Sequence, residues 1–116
     1  MCMPFINTIT TKEITKEKKA LLTQRLGDAI TVLPGKTESW LMLKFEGGAE
    51  MAFKGDSESD CAMVEVELYG GADDESMNAL TGKISLILED VLGIAPERVY
   101  VKYFATGAWG YSGENF

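Results

Sequence analysis

The chain has 116 residues, of which 46% are hydrophobic and 25% are charged, and its formal net charge is −7 at pH 7. These values predict one soluble domain with a single core. The acidic balance argues against a nucleic-acid partner or an anionic membrane, because both require basic surface. The chain contains no histidine, which excludes Ser-His-Asp and Cys-His mechanisms. A catalytic base would therefore be a carboxylate, a lysine, a tyrosine or a terminal amine.

The two cysteines, Cys2 and Cys61, do not form a disulfide framework, and Cys61 is interpreted as a small buried residue. No apolar run approaches the length of a transmembrane helix, and the N-terminus lacks the basic and apolar regions of a signal peptide. We therefore expect a cytoplasmic protein. We expect neither a metal nor an organic cofactor, and we interpret the acidic positions as solvated surface.

The first half of the chain predicts a β-α-β unit. Residues 5–10 form its first strand. Thr10 or Thr15 caps a helix whose apolar stripe runs to Leu33, before Pro34-Gly35 ends it. A second strand and a short extra strand follow, at residues 40–45 and 51–53.

The second half predicts the same order of elements. Residues 62–69 alternate apolar and acidic positions and indicate a strand. Acidic residues 73–75 favour the start of a helix, because the N-terminus of a helix attracts negative charge. Gly93 ends that helix, and residues 99–104 form the next strand. The remaining tail, residues 107–116, combines aromatic and small side chains.

The two halves align when the sequence is shifted by 58 residues, which places Ile84 on Leu26 and Gly93 on Gly35. We therefore predict one α/β (α+β) domain over residues 1–116, built from repeats near residues 4–58 and 62–116. Right-handed crossovers place both helices on one face of a four-stranded sheet. The other face needs a partner, so a closed symmetric oligomer is expected.

Several motifs occur in an order that resembles the macrophage migration inhibitory factor family of the tautomerase superfamily. They are Met3-Pro4-Phe5-Ile6-Asn7, Pro34-Gly35-Lys36, Met51-Ala52-Phe53, Pro96-Glu97-Arg98-Val99-Tyr100 and Trp109-Gly110-Tyr111 with the final Phe116. The resemblance implies a homotrimer whose sheets wrap a central channel, with active sites between subunits. It implies keto–enol tautomerism of small aromatic α-keto acids such as phenylpyruvate, or of dopachrome analogues. Animal members also act as cytokine-like proteins secreted without a signal peptide, so a signalling or host-mimicking protein with a receptor partner is the alternative.

The resemblance also implies roles for individual residues. Pro4 is the catalytic base, Lys36 binds the substrate carboxylate and Tyr100 reaches the site from a neighbouring subunit. An α-amine has an ordinary pKa of about 7.7–8.0, and apolar surroundings lower it further, so a freed Pro4 amine would be largely neutral at pH 7. Further residues are assigned to substrate binding: Phe5, Trp40, Leu68, Tyr69, Lys102, Trp109, Tyr111 and Phe116.

The start of the chain departs from the family pattern, because Met1-Cys2 precede the Met3-Pro4 pair. Inside the chain the Pro4 nitrogen is an amide and has no basicity. Translation from Met3 would expose Pro4, whereas removal of Met1 would expose Cys2 as the alternative N-terminus.

Two internal positions also depart from the family. Lys102 stands where the animal proteins carry asparagine, which adds a positive charge to the expected site. Val64 replaces the second cysteine of the animal Cys-x-x-Cys motif, so no thiol oxidoreductase activity is expected. A third interpretation stays open, namely a noncatalytic ferredoxin-like module that binds a small molecule. A monomer or dimer without a terminal-amine site would favour it.

Overall fold

The computed structural model describes residues 3–116. The two helices and the four main strands are β1 (Pro4–Thr10), α1 (Lys16–Ala29), β2 (Met42–Glu46), β3 (Ala62–Tyr69), α2 (Asp74–Leu92) and β4 (Val99–Thr106). The strands form one sheet in the order β2-β1-β3-β4. The pairs β1–β2 and β3–β4 are parallel, and β1 and β3 are antiparallel. The predicted four-stranded sheet with two helices is confirmed.

The core lies between the sheet and the two helices. Side chains along β3 alternate between buried and partly exposed positions. Val64, Val66 and Leu68 are therefore buried against the helices, while the residues between them face the other side of the sheet. Helix α2 contributes Ile84 and Leu88, which are also fully buried. One face of the sheet is thus covered, and the opposite face, here called the open face, carries no helix among residues 3–116.

Each helix begins at a side-chain cap. The Thr15 hydroxyl accepts a hydrogen bond from the Lys18 amide (3.2 Å), which decides between the two predicted caps. The Asp73 carboxylate accepts one from the Ser76 amide (3.1 Å) and so begins α2. Gly93 ends α2 with a φ of 70°, a left-handed conformation that glycine adopts without strain.

Helix α1 is shorter than the apolar stripe suggested, and its predicted extension to Leu33 is wrong. It ends at Ala29, and Ile30–Val32 form a 3₁₀ turn. Three consecutive β-branched residues lose side-chain freedom in a helix. The Thr31 hydroxyl also donates to the Asp28 carbonyl (2.7 Å), which supports the tighter turn.

The strand boundaries also differ from prediction. Residues Glu38–Trp40 form a 3₁₀ turn, so the second strand begins later than expected, at Met42. The extra strand at residues 51–53 is absent from the described chain, where Phe53 makes only an isolated bridge to Asp56.

The C-terminal tail forms a hairpin that was not predicted. Its strands are β5 (Gly110–Tyr111) and β6 (Glu114–Asn115). Ser112 (φ 55°) and Gly113 (φ 89°) form the turn between them, and two consecutive positive φ angles are typical of tight hairpins.

Arg98 organises the loop between β2 and β3. Its guanidinium donates hydrogen bonds to the backbone carbonyls of Asp60 (2.9 Å), Ser59 (3.0 Å) and Asp56 (3.2 Å). It also lies over the ring of Phe53, 5.4 Å from the ring centroid. One side chain therefore holds a polar loop that has little regular structure of its own.

Replacing Arg98 with alanine leaves several carbonyls of this loop without their donor. We expect Arg98→Ala to lower the free energy of unfolding by about 2–3 kcal/mol, measured by urea denaturation. Arg25→Ala is the matched control, because Arg25 makes a surface pair with Asp90 (3.3 Å), and exposed pairs contribute about 1 kcal/mol or less. Equal losses in the two variants would contradict the role given to Arg98.

Candidate active site

Pro4 lies in an aromatic cleft at the start of β1. The cleft has a volume of ≈ 520 Å³, and Phe5, Trp40, Trp109 and Tyr111 all line it. The rings of Trp40 and Tyr111 pack edge to face, 5.2 Å apart. The unpredicted turn at Trp40 and the unpredicted hairpin at Tyr111 are therefore the elements that bring these two rings together. Four of the residues assigned to substrate binding meet at Pro4.

The chain before Pro4 continues the pairing of the sheet. The Met3 carbonyl accepts a hydrogen bond from the Tyr69 amide (3.2 Å), and Pro4 lies opposite Leu68. Met3 is 4% exposed and also lines the cleft. While Met3 is attached, the Pro4 nitrogen is an amide and cannot act as a base. The predicted alternative N-terminus, Cys2, lies outside the described residues.

Lys36 lies in a neighbouring groove and does not line the Pro4 cleft. Its side chain is 3% exposed, and Tyr69 lines the same groove. The Tyr69 ring packs against Trp109 (6.5 Å between centroids) and Phe116 (5.4 Å). Trp109 lines the Pro4 cleft and Tyr69 lines the groove of Lys36, so the two pockets meet at this pair of rings. The structure thus places Pro4 and Lys36 in adjacent pockets of one chain.

Tyr100 and Lys102 lie on the open face of β4, away from Pro4. Tyr100 is opposite Met63, whereas the β4 residue nearest the Pro4–Leu68 pair is Ala105. Five residues of strand separate Tyr100 from Ala105, or roughly 16 Å. Neither Tyr100 nor Lys102 lines the Pro4 cleft of its own chain.

The placement of Leu68 differs from the prediction. Leu68 faces the helices and is fully buried in the core, so it lines neither pocket. Strand alternation turns its neighbours Glu67 and Tyr69 to the other side, where Glu67 lines the Pro4 cleft. Glu67 was not predicted as a site residue. The alternation of acidic and apolar residues in β3 was the signal that could have identified it.

A polar row crosses the middle of the open face. Glu65 contacts the Lys102 ammonium (3.1 Å) and accepts a hydrogen bond from the side-chain amide Nδ2 of Asn7 (2.9 Å). The hydrogen bond from Lys102, followed by that from Asn7, lowers the pKa of the Glu65 carboxyl below its ordinary value of 4.5. Lys102 is thus engaged by a carboxylate of its own chain.

The lowered pKa of Glu65 predicts a pH-dependent contribution to stability. A carboxyl whose pKa is lower in the folded state stabilises the fold above its unfolded pKa, and this is lost as pH falls through the folded pKa. The stability difference between the parent protein and Glu65→Gln should therefore be largest near pH 7 and shrink below pH 4.5. Urea denaturation across this range measures it.

Glu46→Gln is the matched control for this experiment, because within residues 3–116 Glu46 makes one ion pair, an exposed one with Lys44 at 3.8 Å. We expect its difference from the parent protein to stay small at every pH. A Glu65→Gln difference that does not change with pH would contradict the account of Glu65.

Two observations define the class of the protein. The duplicated β-α-β topology is that of a two-layer α/β domain, and a proline near the N-terminus lies in an aromatic cleft at the end of its sheet. Together they are typical of the tautomerase superfamily.

Among residues 3–116, no helix is long and apolar enough to cross a bilayer.

The comparisons with known proteins identify the family. Residues 3–115 match the family described as macrophage migration inhibitory factor (MIF), and the chain belongs to that family. A search of curated proteins finds no match.

Solved structures of MIF homologues share the fold. Leishmania major MIF2 is 31% identical with a TM-score of 0.92, and the alignment covers 98% of this chain and 97% of that one. The homologue from Prochlorococcus marinus is 26% identical with a TM-score of 0.87, covering 97% and 98%. The MIF-like protein of Entamoeba histolytica, at 19% identity, has a TM-score of 0.87 and covers 98% and 99%. The predicted family and fold are confirmed.

Proposed function

We propose that this protein is a homotrimeric keto–enol tautomerase of small aromatic α-keto acids such as phenylpyruvate. In the active form the chain begins at Pro4, and the free Pro4 amine is the general base. Membership of the MIF family supports the reaction class. The observation that carries the proposal is the position of Pro4 in a cleft lined by Phe5, Trp40, Trp109 and Tyr111.

The cleft suits the chemistry of tautomerism. The reaction moves one proton between the carbon next to the carbonyl group and the carbonyl oxygen, so it needs a base that is neutral near pH 7. A terminal proline amine is a secondary amine, and apolar surroundings disfavour its protonated form. The aromatic walls act in this direction, against the Glu67 carboxylate that lines the same cleft, and they also provide a surface on which the phenyl ring of the substrate can pack.

A neighbouring subunit is part of the proposal, because one chain does not complete the predicted site. Tyr100 is 58% exposed and lies too far from its own Pro4 to contact a shared substrate. Met42 on the β2 edge and Phe104 on β4 are also exposed, and large exposed apolar residues at sheet edges are typical of interfaces. Assembly as a closed trimer would cover them and bring Tyr100 and Lys102 of one subunit towards the cleft of the next.

The proposal gives the charged residues defined roles. Lys36 provides the positive charge for the substrate carboxylate from the adjoining groove, and Tyr100 donates a hydrogen bond to the enolate oxygen, which stabilises the charge that develops in the transition state. Lys102 adds a second positive charge. The Glu65 carboxylate, 3.1 Å from the Lys102 ammonium, competes with the substrate carboxylate for that charge. No metal or organic cofactor takes part.

Ketonisation of enol-phenylpyruvate by protein that begins at Pro4 tests the proposal. We expect a rate well above that of buffer alone, and a mass in light scattering equal to three chains. A monomer or dimer by light scattering would exclude the proposed assembly. A rate equal to that of buffer would exclude the proposed activity.

A further inference from the structure

The Pro4 cleft contains a charge that the tautomerase proposal does not use. Among residues 3–116, Glu67 is the one charged side chain that lines the cleft. Glu67 is half-buried and lies in the sheet between Phe5 on β1 and Phe104 on β4. The residue is therefore partly covered and has aromatic neighbours on both adjacent strands.

The described chain provides no cation for this carboxylate. No lysine or arginine nitrogen of residues 3–116 forms an ion pair with Glu67. Glu65, on the same strand and the same face, is in contrast paired with Lys102 and hydrogen-bonded to Asn7. A carboxylate without a counter-charge, on a half-buried residue in an aromatic cleft, gains more from a cationic ligand than a paired carboxylate does.

We propose that the Pro4 cleft binds aromatic ammonium compounds of the arylethylamine type. The ring packs among Trp40, Trp109 and Tyr111, and the ammonium group contacts the Glu67 carboxylate. The face of Phe5 adds a cation–π contact, since Phe5 lines the same cleft and lies opposite Glu67. The cleft volume of ≈ 520 Å³ lies within the range of small-molecule sites.

This inference goes beyond the proposed reaction and does not depend on it, because it needs no free Pro4 amine. It concerns a ligand whose polar group has the opposite charge to an α-keto acid. Glu67 attracts an ammonium and repels a carboxylate. A keto acid therefore depends on a cation from outside this lining, such as Lys36 or, in the proposed trimer, Lys102 of the neighbouring subunit, whereas an arylethylamine does not.

Tryptophan fluorescence measures binding directly, because the chain has two tryptophans and both line the cleft. The probes are 2-phenylethylammonium, the neutral 2-phenylethanol and the anionic 3-phenylpropionate, which share a phenyl ring on a two-carbon chain. On the full chain at pH 7 we expect the ammonium to bind tightest and the carboxylate weakest. Raising the salt concentration should weaken ammonium binding and leave alcohol binding unchanged.

Glu67→Gln removes the charge and retains the shape of the side chain. We expect this substitution to weaken 2-phenylethylammonium binding about tenfold, because it removes one hydrogen bond between charged groups. Binding of 2-phenylethanol should change by less than about twofold. Glu46→Gln makes the same charge change on β2 outside the cleft and should alter neither affinity.

Three results would overturn the inference: equal binding of the alcohol and the ammonium, unchanged ammonium binding in Glu67→Gln, or an equal loss for all probes in that variant. If Glu67→Gln does not fold, the salt dependence of the parent protein decides the question. Ammonium binding as insensitive to salt as alcohol binding then refutes the inference. Loss of tautomerase activity would leave it intact, because fluorescence detects binding without turnover.

Discussion

Pro4→Gly, introduced into a chain that begins at residue 4, should reduce kcat/KM for enol-phenylpyruvate about 100-fold, the lower end of what a positioned general base contributes. Glycine retains a terminal amine, but it loses the ring that fixes the direction of the nitrogen. Its backbone is also freer than that of any other residue, so the amine spends less time in the reactive geometry. A stopped-flow or absorbance assay of ketonisation measures the effect.

Pro96→Gly is the matched control for this prediction. Pro96 begins the 3₁₀ turn before β4 and does not line the Pro4 cleft, so the same chemical change there should leave kcat/KM within about twofold of the parent protein. If Pro4→Gly and its parent ketonised the enol equally fast, the fixed ring nitrogen would not be the base, and a carboxylate such as Glu67 would have to be considered in its place.

Leu88→Ala should lower the free energy of unfolding by about 2–5 kcal/mol, because truncation of a fully buried leucine leaves a cavity that the surrounding core only partly fills. Leu88 is 0% exposed and belongs to the cluster between the helices and the sheet. Urea denaturation followed by circular dichroism measures the loss at a fixed protein concentration, since assembly would otherwise shift the apparent stability.

Leu86 on the same helix provides the control, because it is the same residue type and is 52% exposed. Leu86→Ala should cost less than about 1 kcal/mol. A loss for Leu86→Ala as large as that for Leu88→Ala would mean that the outer surface of α2 is covered by another subunit, which the proposed trimer does not require.

Much of the fold could be predicted because its signals are local. The alternation of residues 62–69 requires an extended chain with one buried side, and β3 is observed at the predicted bounds. Gly93 ends α2 because the chain must take a positive φ there. The turn after Ala29 and the C-terminal hairpin were missed because competing local chemistry decides them. The β-branched residues after Ala29 favour a 3₁₀ turn over continued helix, and the turn at Ser112-Gly113 pairs two very short strands.

The site was less accessible to sequence reasoning, because it depends on distances between separate elements. The aromatic residues around Pro4 were predicted as a group, and Trp40, Trp109 and Tyr111 do meet there. Lys36 was expected at the same point, but it lines the adjacent groove with Tyr69 and does not line the Pro4 cleft. Spacing along the chain cannot reveal which of two adjacent pockets a side chain lines. Glu67 was overlooked because an acidic residue in a strand is usually solvated. The alternation of β3 places it on the open face, and its register opposite Phe5 places it at the cleft.

The most direct test compares two forms of the protein whose first residues are established by intact-mass measurement. One form begins at Pro4, and the other retains Met1-Cys2-Met3 ahead of it. Both are assayed for ketonisation of enol-phenylpyruvate at pH 7 and equal concentration. We predict that the longer form is at least about 100-fold slower, because acylation by Met3 removes the basicity of the Pro4 nitrogen. Equal rates for the two forms would contradict the proposal that the Pro4 amine moves the proton.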